Sequence, residues 1–204
     1  MTESDWELFE RLGDSLLNIN PGQAFLCYEN AEFYCSESVC KRNIQKKKEE
    51  LKKRNKLTPK KVSIVIVSYN NIYLMKKCIE SIRKYCLPSS YEIIAVDNAS
   101  NDGVREWLQC QQDIKCIMCN QNAGFPLGCN IGIQYSDIEN DIFLLNNDTR
   151  MTENALFWLR MGLYESEDIG AVGCVSNYAG NDQQLEIEFM YPEEYVQYAK
   201  KVNV

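Results

Sequence analysis

The stretch IFLLNNDTR, from Ile142 to Arg150, ends an apolar run in three polar residues, Asn146, Asn147 and Asp148. The run is neither helical nor alternating in period, which is how a strand buried on both faces reads, and open α/β sheets place ligands just beyond the carboxyl ends of such strands. Two further apolar runs end similarly. VSIVIV leads into Ser68, Tyr69 and Asn70, and YEIIAV leads into Asp97 and Asn98. An Asn/Asp-rich turn accounts for any one of these clusters, because such side chains hydrogen-bond their own backbone. Three clusters at three strand exits make a crevice. The chain contains no histidine, which removes Ser-His-Asp and Cys-His catalysis and any imidazole-held metal. A metal here must be held by carboxylate and water oxygens.

The elements that would position these residues alternate from Val62 onward. VSIVIV, YEIIAV, IKCIMC, DIFLL and IGAVGCV read as strands, and between them IYLMKKCIESIRKYC, GVREWLQCQ, PLGCNIGIQYS and TENALFWLRMGLYE read as helices. Such alternation predicts an α/β fold, a mostly parallel sheet with helices on both faces. Right-handed crossovers then bring the polar exits to one edge. The chain before this region reads differently. SDWELFERLGDSLLN, a turn at NINPG, and QAFLCYENAEFYC predict an N-terminal helical hairpin. KRNIQKKKEELKKRNKLTPKK follows as a charged helix ending before Pro59, with Ile44 and Leu51 as isolated apolar residues. The expected organisation is a helical appendage and charged connector over residues 1–58 and an α/β domain over 59–204.

Composition narrows the function classes. With 45% hydrophobic and 25% charged residues the chain is an ordinary globular protein long enough to bury a core. Its net charge of −7 repels nucleic-acid phosphates, so no nucleic-acid partner is expected. The basic stretch is the exception, and it leaves a peripheral contact with an anionic membrane surface open; the interleaved Glu49 and Glu50 favour a solvated face instead. The N-terminus lacks the basic and apolar regions of a signal peptide, so a cytoplasmic location is expected. Ten cysteines then read as reduced core fillers. Cys116 and Cys119 form a lone CxxC without a second pair, which argues against structural zinc.

The succession SIVIVSYNN, EIIAVDNASNDG, NQNAGFPLGCNIGI and FLLNNDT closely resembles the family 2 glycosyltransferases of GT-A fold, especially their rhamnosyltransferase-like bacterial branch. The resemblance spans about Val62 to Val175. It implies a Rossmann-like GT-A sheet and an enzyme that takes a sugar from a nucleotide-diphospho-sugar, a UDP-sugar or dTDP-rhamnose, for glycan or polysaccharide synthesis. It implies that Ser68, Tyr69 and Asn70, with Asp97 and Asn98, hold base and ribose. A carboxylate can accept the imide N–H of uracil or thymine, which gives Asp97 a chemical reason to be there. Tyr69 packs against the nucleoside or is a half-buried core aromatic. Asn98 stands where many members have a second acid. Ser100, Asn101, Asp102 and Gly103 read as the turn into the next helix rather than as ligand contacts.

NAGFPLGCN matches the family's donor-side loop before a helix. Gly124 and Gly128 allow close backbone approach there, and the helix N-terminus favours a diphosphate. Asn122 and Asn130 either bond the donor or brace the loop. NND occupies the place of the family's DxD motif, so the resemblance implies Asp148 as the charged ligand of a divalent metal, Mn2+ or Mg2+, with Asn146 replacing the first acid and Asn147 between them. Inverting members take the acceptor proton with a later carboxylate. Glu186, Glu188, Glu193 and Glu194 are the nearby acids, but EIEFMYPEEYVQYAKK reads as a strand-like piece and a solvated helix, so the catalytic base is unassigned and the acceptor half is expected to be incomplete. The rival reading is a noncatalytic nucleotide-sugar-binding or scaffold module. QAFLCYENAEFYC also resembles the second helix of a tetratricopeptide repeat through Ala24, Tyr28 and Ala31, which implies a protein partner for the N-terminal helices.

Overall fold

The computed structural model describes residues 4–54, 58–176, 183–187 and 191–203. Two compact units divide the chain, one of Lys60–Thr152 and one that joins Met1–Pro59 with Glu153–Val204.

The first unit is built on four parallel strands, β1 (Val62–Ser68), β2 (Tyr91–Asp97), β3 (Ile114–Met118) and β4 (Asp141–Asn146), in the order β3-β2-β1-β4. The chain steps outward from β1 to β2 to β3, then crosses back to place β4 on the other side of β1. That reversal puts the topological switch point between β1 and β4. β1 is buried along its whole length, as an interior strand of β-branched residues should be. Register places Ser68 beside Asp97, Asp97 beside Met118 and Val67 beside Asn146, so the polar exits share one edge.

Helices α4 (Ile72–Tyr85), α5 (Val104–Gln109) and α6 (Phe125–Gln134) complete this unit. α6 lies on the Val65 and Val67 side of the sheet, where Gly128 and Gly132 bring its backbone close. A Cβ at Gly128 would stand 2.7 Å from Val67 Cγ1, and one at Gly132 would stand 2.2 Å from Val65 Cγ1. α5 covers the opposite face, where the thiol of Cys116 donates to the Leu108 carbonyl at 3.3 Å. Helices thus flank both faces of a parallel sheet, the mixed α/β arrangement expected.

The second unit is helical. α1 (Asp5–Leu16) and α2 (Pro21–Tyr34) form the expected hairpin. Asn20 caps α2 by accepting the Gln23 N–H at 3.0 Å, and Pro21 occupies a position whose N–H would have no partner. The charged stretch forms α3 (Ser38–Arg54), but it is not a free connector. Ile44 and Leu51, seven residues apart on one side, are buried in the core with Phe25, Leu26 and Tyr28 of α2. α7 (Ala155–Leu163) joins the same core through Phe157 and Met161, and Arg160 of α7 pairs with Glu29 of α2 at 2.5 Å. α8 spans Pro192–Val202.

The run Ile169–Val175, expected as a fifth strand, forms none. Gly170 and Gly173 weaken strand propensity there. One parallel bridge, Ser176 to Gln184, is all the pairing near it among the described residues. The strand-like reading of Glu186 onward falls largely on residues 188–190, outside the described ones.

Candidate donor site

The site begins at the exit of β1. Ser68 is fully buried and its hydroxyl accepts the Asn147 amide N–H at 3.2 Å, which ties the exits of β1 and β4 across the switch point. Tyr69 follows with 53% of its surface exposed, so it is not a core aromatic. Asn70 and Asn71 both adopt left-handed backbone, which Asn tolerates better than most residues. The Asn70 side-chain oxygen accepts the Asn101 N–H at 2.9 Å, while the Asn70 N–H donates to Ser100 Oγ at 2.8 Å. Asp102 accepts the Ile72 N–H at 2.8 Å. The Ser100–Gly103 turn therefore clamps the first loop as well as opening α5.

At the exit of β2, Asp97 has no exposed surface. Its Oδ1 accepts the Ser100 N–H at 3.2 Å, and its Oδ2 accepts from Arg105 Nε at 2.9 Å. Both carboxylate oxygens are thus already engaged inside the protein, one by the backbone and one by a guanidinium. Asn98, also buried, donates to Asn122 Oδ1 at 2.8 Å and to the Gly124 carbonyl at 3.2 Å, and accepts from the Ala123 N–H at 3.0 Å. A second acid at Asn98 would set like against like, since both partners of its NH2 group are acceptors. Asn122 also accepts the Gly124 N–H at 2.9 Å, so it braces the loop. Gly124 has φ 80° and ψ 169°, a conformation that glycine alone adopts readily. Asn130 is exposed on the side of α6 turned away from Gly128 and Gly132, two residues from each.

At β4, Asn146, Asn147 and Asp148 form both a turn and a polar exit. The Asn146 carbonyl accepts the Thr149 N–H at 3.1 Å, and the side chains of Asn146 and Asp148 belong to exposed residues. Beneath them the Cys78 thiol donates to the Asn146 carbonyl at 3.6 Å. Burial, with a further contribution from the Asp148 charge, pushes this thiol up to about 12, so it is an inert core group. All ten cysteines are free, and Cys27, Cys35, Cys78, Cys86 and Cys129 are buried as fillers, whereas Cys110 and Cys174 are exposed.

No group of three or more His, Cys, Asp or Glu side chains able to hold a metal occurs among the described residues. Asp148 alone fits the mode in which a protein gives one carboxylate and substrate phosphates and waters complete the shell. Of the later acids, Glu186 and Glu193 are exposed, Glu194 accepts the Tyr191 N–H at 3.4 Å as part of the α8 cap, and Glu188 lies outside the described residues.

A parallel sheet with the order β3-β2-β1-β4 and polar loops gathered at its carboxyl edge is a doubly wound α/β fold, the class to which GT-A domains belong. The sequence matches the model of glycosyl transferase family 2 over residues 63–200, and the chain belongs to that family. Among curated proteins it is 27% identical over 136 residues to the glycosyltransferase AglE of Haloferax volcanii, a match covering 64% of this chain and 40% of AglE. The mannosyltransferase PcManGT of Pyrobaculum calidifontis, solved with GDP-Man and Mn2+, aligns with a TM-score of 0.50 at 19% identity over 82% of this chain and 47% of its own. TarS residues 1–349 of S. aureus align at 0.44 and 18% identity, over 52% of this chain and 32% of that one. The matches span less than half the length of each relative. No described helix is long and apolar enough to cross a membrane.

Proposed function

We propose that the edge formed by β1, β2 and β4 binds the nucleoside diphosphate of a sugar donor, within an inverting glycosyltransferase that builds a glycan or polysaccharide. The observation that carries this is the switch point itself. Loops from three strands meet there, their amides are committed to bracing one another, and Tyr69, Asn146 and Asp148 are left exposed. Rigid loops with a few exposed polar and aromatic groups are what a preorganised small-molecule site requires.

In this reading Tyr69 packs against the nucleoside, with Asn70 and Ser68 fixing its loop. Gly124 lets the backbone approach the diphosphate, at the N-terminus of α6, whose N–H groups favour an anion. Asn98 and Asn122 act by holding that loop. Asp148 would hold a divalent cation, Mn2+ or Mg2+, with Asn146 as a neutral neighbour. When bound, such an ion offsets diphosphate charge and stabilises the departing nucleotide. Family membership and the GDP-Man and Mn2+ held by PcManGT support this class of donor and ion; UDP-sugars and dTDP-rhamnose remain the donors proposed from the motifs.

A thermal-shift screen with UDP, dTDP, GDP and ADP, each with Mn2+ and with EDTA, tests the reading. The expected result is stabilisation by at least one nucleoside diphosphate, larger with Mn2+, since a ligand that binds only the folded state raises its stability. No shift with any nucleotide at millimolar concentration contradicts it.

A further inference from the structure

The exits of β2 and β3 are joined by a residue that the strand-exit motifs do not include. Arg105, on α5, donates from Nε to Asp97 and from a terminal nitrogen to the carbonyl of Cys119, just past β3. It thereby ties the exits of β2 and β3 together. Asp97 has no exposed surface, whereas the Arg105 side chain keeps 31% of its own. Asp97 and Cys119 take only part of the donor set of a guanidinium, and the plane of that group is fixed by both partners. One strand over, in register with Asp97, Ser68 leads to the exposed ring of Tyr69.

Resting on the donor-site reading above, we propose that Arg105 is the group that reads the base, that it selects keto bases, and that Asp97 is a positioning residue acting through it. An arginine only donates, so it favours an exocyclic carbonyl such as O4 of uracil and thymine or O6 of guanine. Cytosine and adenine carry an amine at the corresponding place, and two donors then face each other. Rejection of this kind is strong because the site's own polar group loses its partner.

Calorimetry on the full chain with Mn2+, comparing UDP with CDP and GDP with ADP, tests this. The wild-type protein is expected to prefer the keto member of at least one pair by about tenfold or more, the scale of one well-placed arginine contact; which pair shows it separates a pyrimidine from a purine site. Arg105→Ala should reduce that ratio to within about twofold while Mn2+ still strengthens binding. A merely structural role for Arg105 would weaken all four nucleotides alike and leave the ratio intact. Should Arg105→Ala fail to fold, the double variant Asp97→Asn, Arg105→Gln, which leaves no unpaired buried charge, serves for the same ratio. A keto preference unchanged in a folded variant, or an amino-base preference in the wild type, overturns the inference and leaves the donor site standing. Absence of binding by every nucleotide overturns the donor-site reading and the inference with it.

Discussion

Asparagine serves equally as a ligand and as a brace, and at this site the division is set by burial. Asn98 lies beneath the loop and gives its amide to three groups of residues 122–124, whereas Asn146 and Asp148 stand exposed above the β4 turn. Replacing Asn98 with Leu removes those bonds and strands the Gly124 carbonyl and the Ala123 N–H. A loss of about 1–3 kcal/mol in urea unfolding is expected, because an unpaired buried polar group costs more than a bond gains. Asn98→Asp should also destabilise, since a carboxylate would face two acceptors. The polar exits themselves were legible, because each follows an apolar run whose end needs no structure to see. The roles within them were not. Asp97 has the residue type of a base reader, yet its partner Arg105 lies outside the motif, beyond the turn that ends it. An arginine just inside the helix after an Asp-terminated strand is the signal that would have found it.

The elements are specified by close approach as much as by periodicity. Gly132→Ala illustrates which effect wins. Alanine favours a helix over glycine by about 1 kcal/mol, but its Cβ would stand 2.2 Å from Val65 Cγ1 on the fully buried β1. Overpacking of this kind costs about 1–3 kcal/mol, and a β-branched side chain on an interior strand has little freedom to move away. Lower stability in urea is therefore expected, and a gain would contradict the packing described. At the far edge of the sheet, burial would raise Glu92, but bonds from Lys115, Ser63 and the Asp137 N–H outweigh it and hold its carboxyl at about 2. A depressed carboxyl stabilises the fold above its unfolded value of 4.5, and that contribution is lost as pH falls from about 4.5 toward 2. Glu92→Gln should cost about 1–3 kcal/mol at neutral pH and flatten the acid limb of stability over that window. The four strands β1 to β4 were legible from their short apolar runs; Ile169–Val175 has the same apolar character, and its two glycines were the opposing signal.

The units of the whole molecule are not the contiguous pieces suggested by composition. Basic residues made α3 look solvated, yet Ile44 and Leu51 at heptad spacing are enough to bury one side of it. α7 belongs to the helical unit through Phe157 and Met161, a partnership between distant segments that no local pattern encodes. Phe157→Ala should cost about 3–5 kcal/mol by the cavity it leaves. Every residue proposed for the donor site lies within Lys60–Thr152, so nucleotide affinity in that variant is expected to stay within about twofold wherever it remains folded. The most direct test of the donor-site reading is calorimetry of UDP and GDP binding to the wild type and to Asp148→Ala, with Mn2+ and with EDTA. The expected result is binding to the wild type that Mn2+ strengthens on the order of tenfold, with the strengthening absent in a folded Asp148→Ala, since a lost ligand costs at least what a lost supporting contact costs. Absence of nucleotide binding in the wild type, or Mn2+ enhancement undiminished in Asp148→Ala, would contradict it.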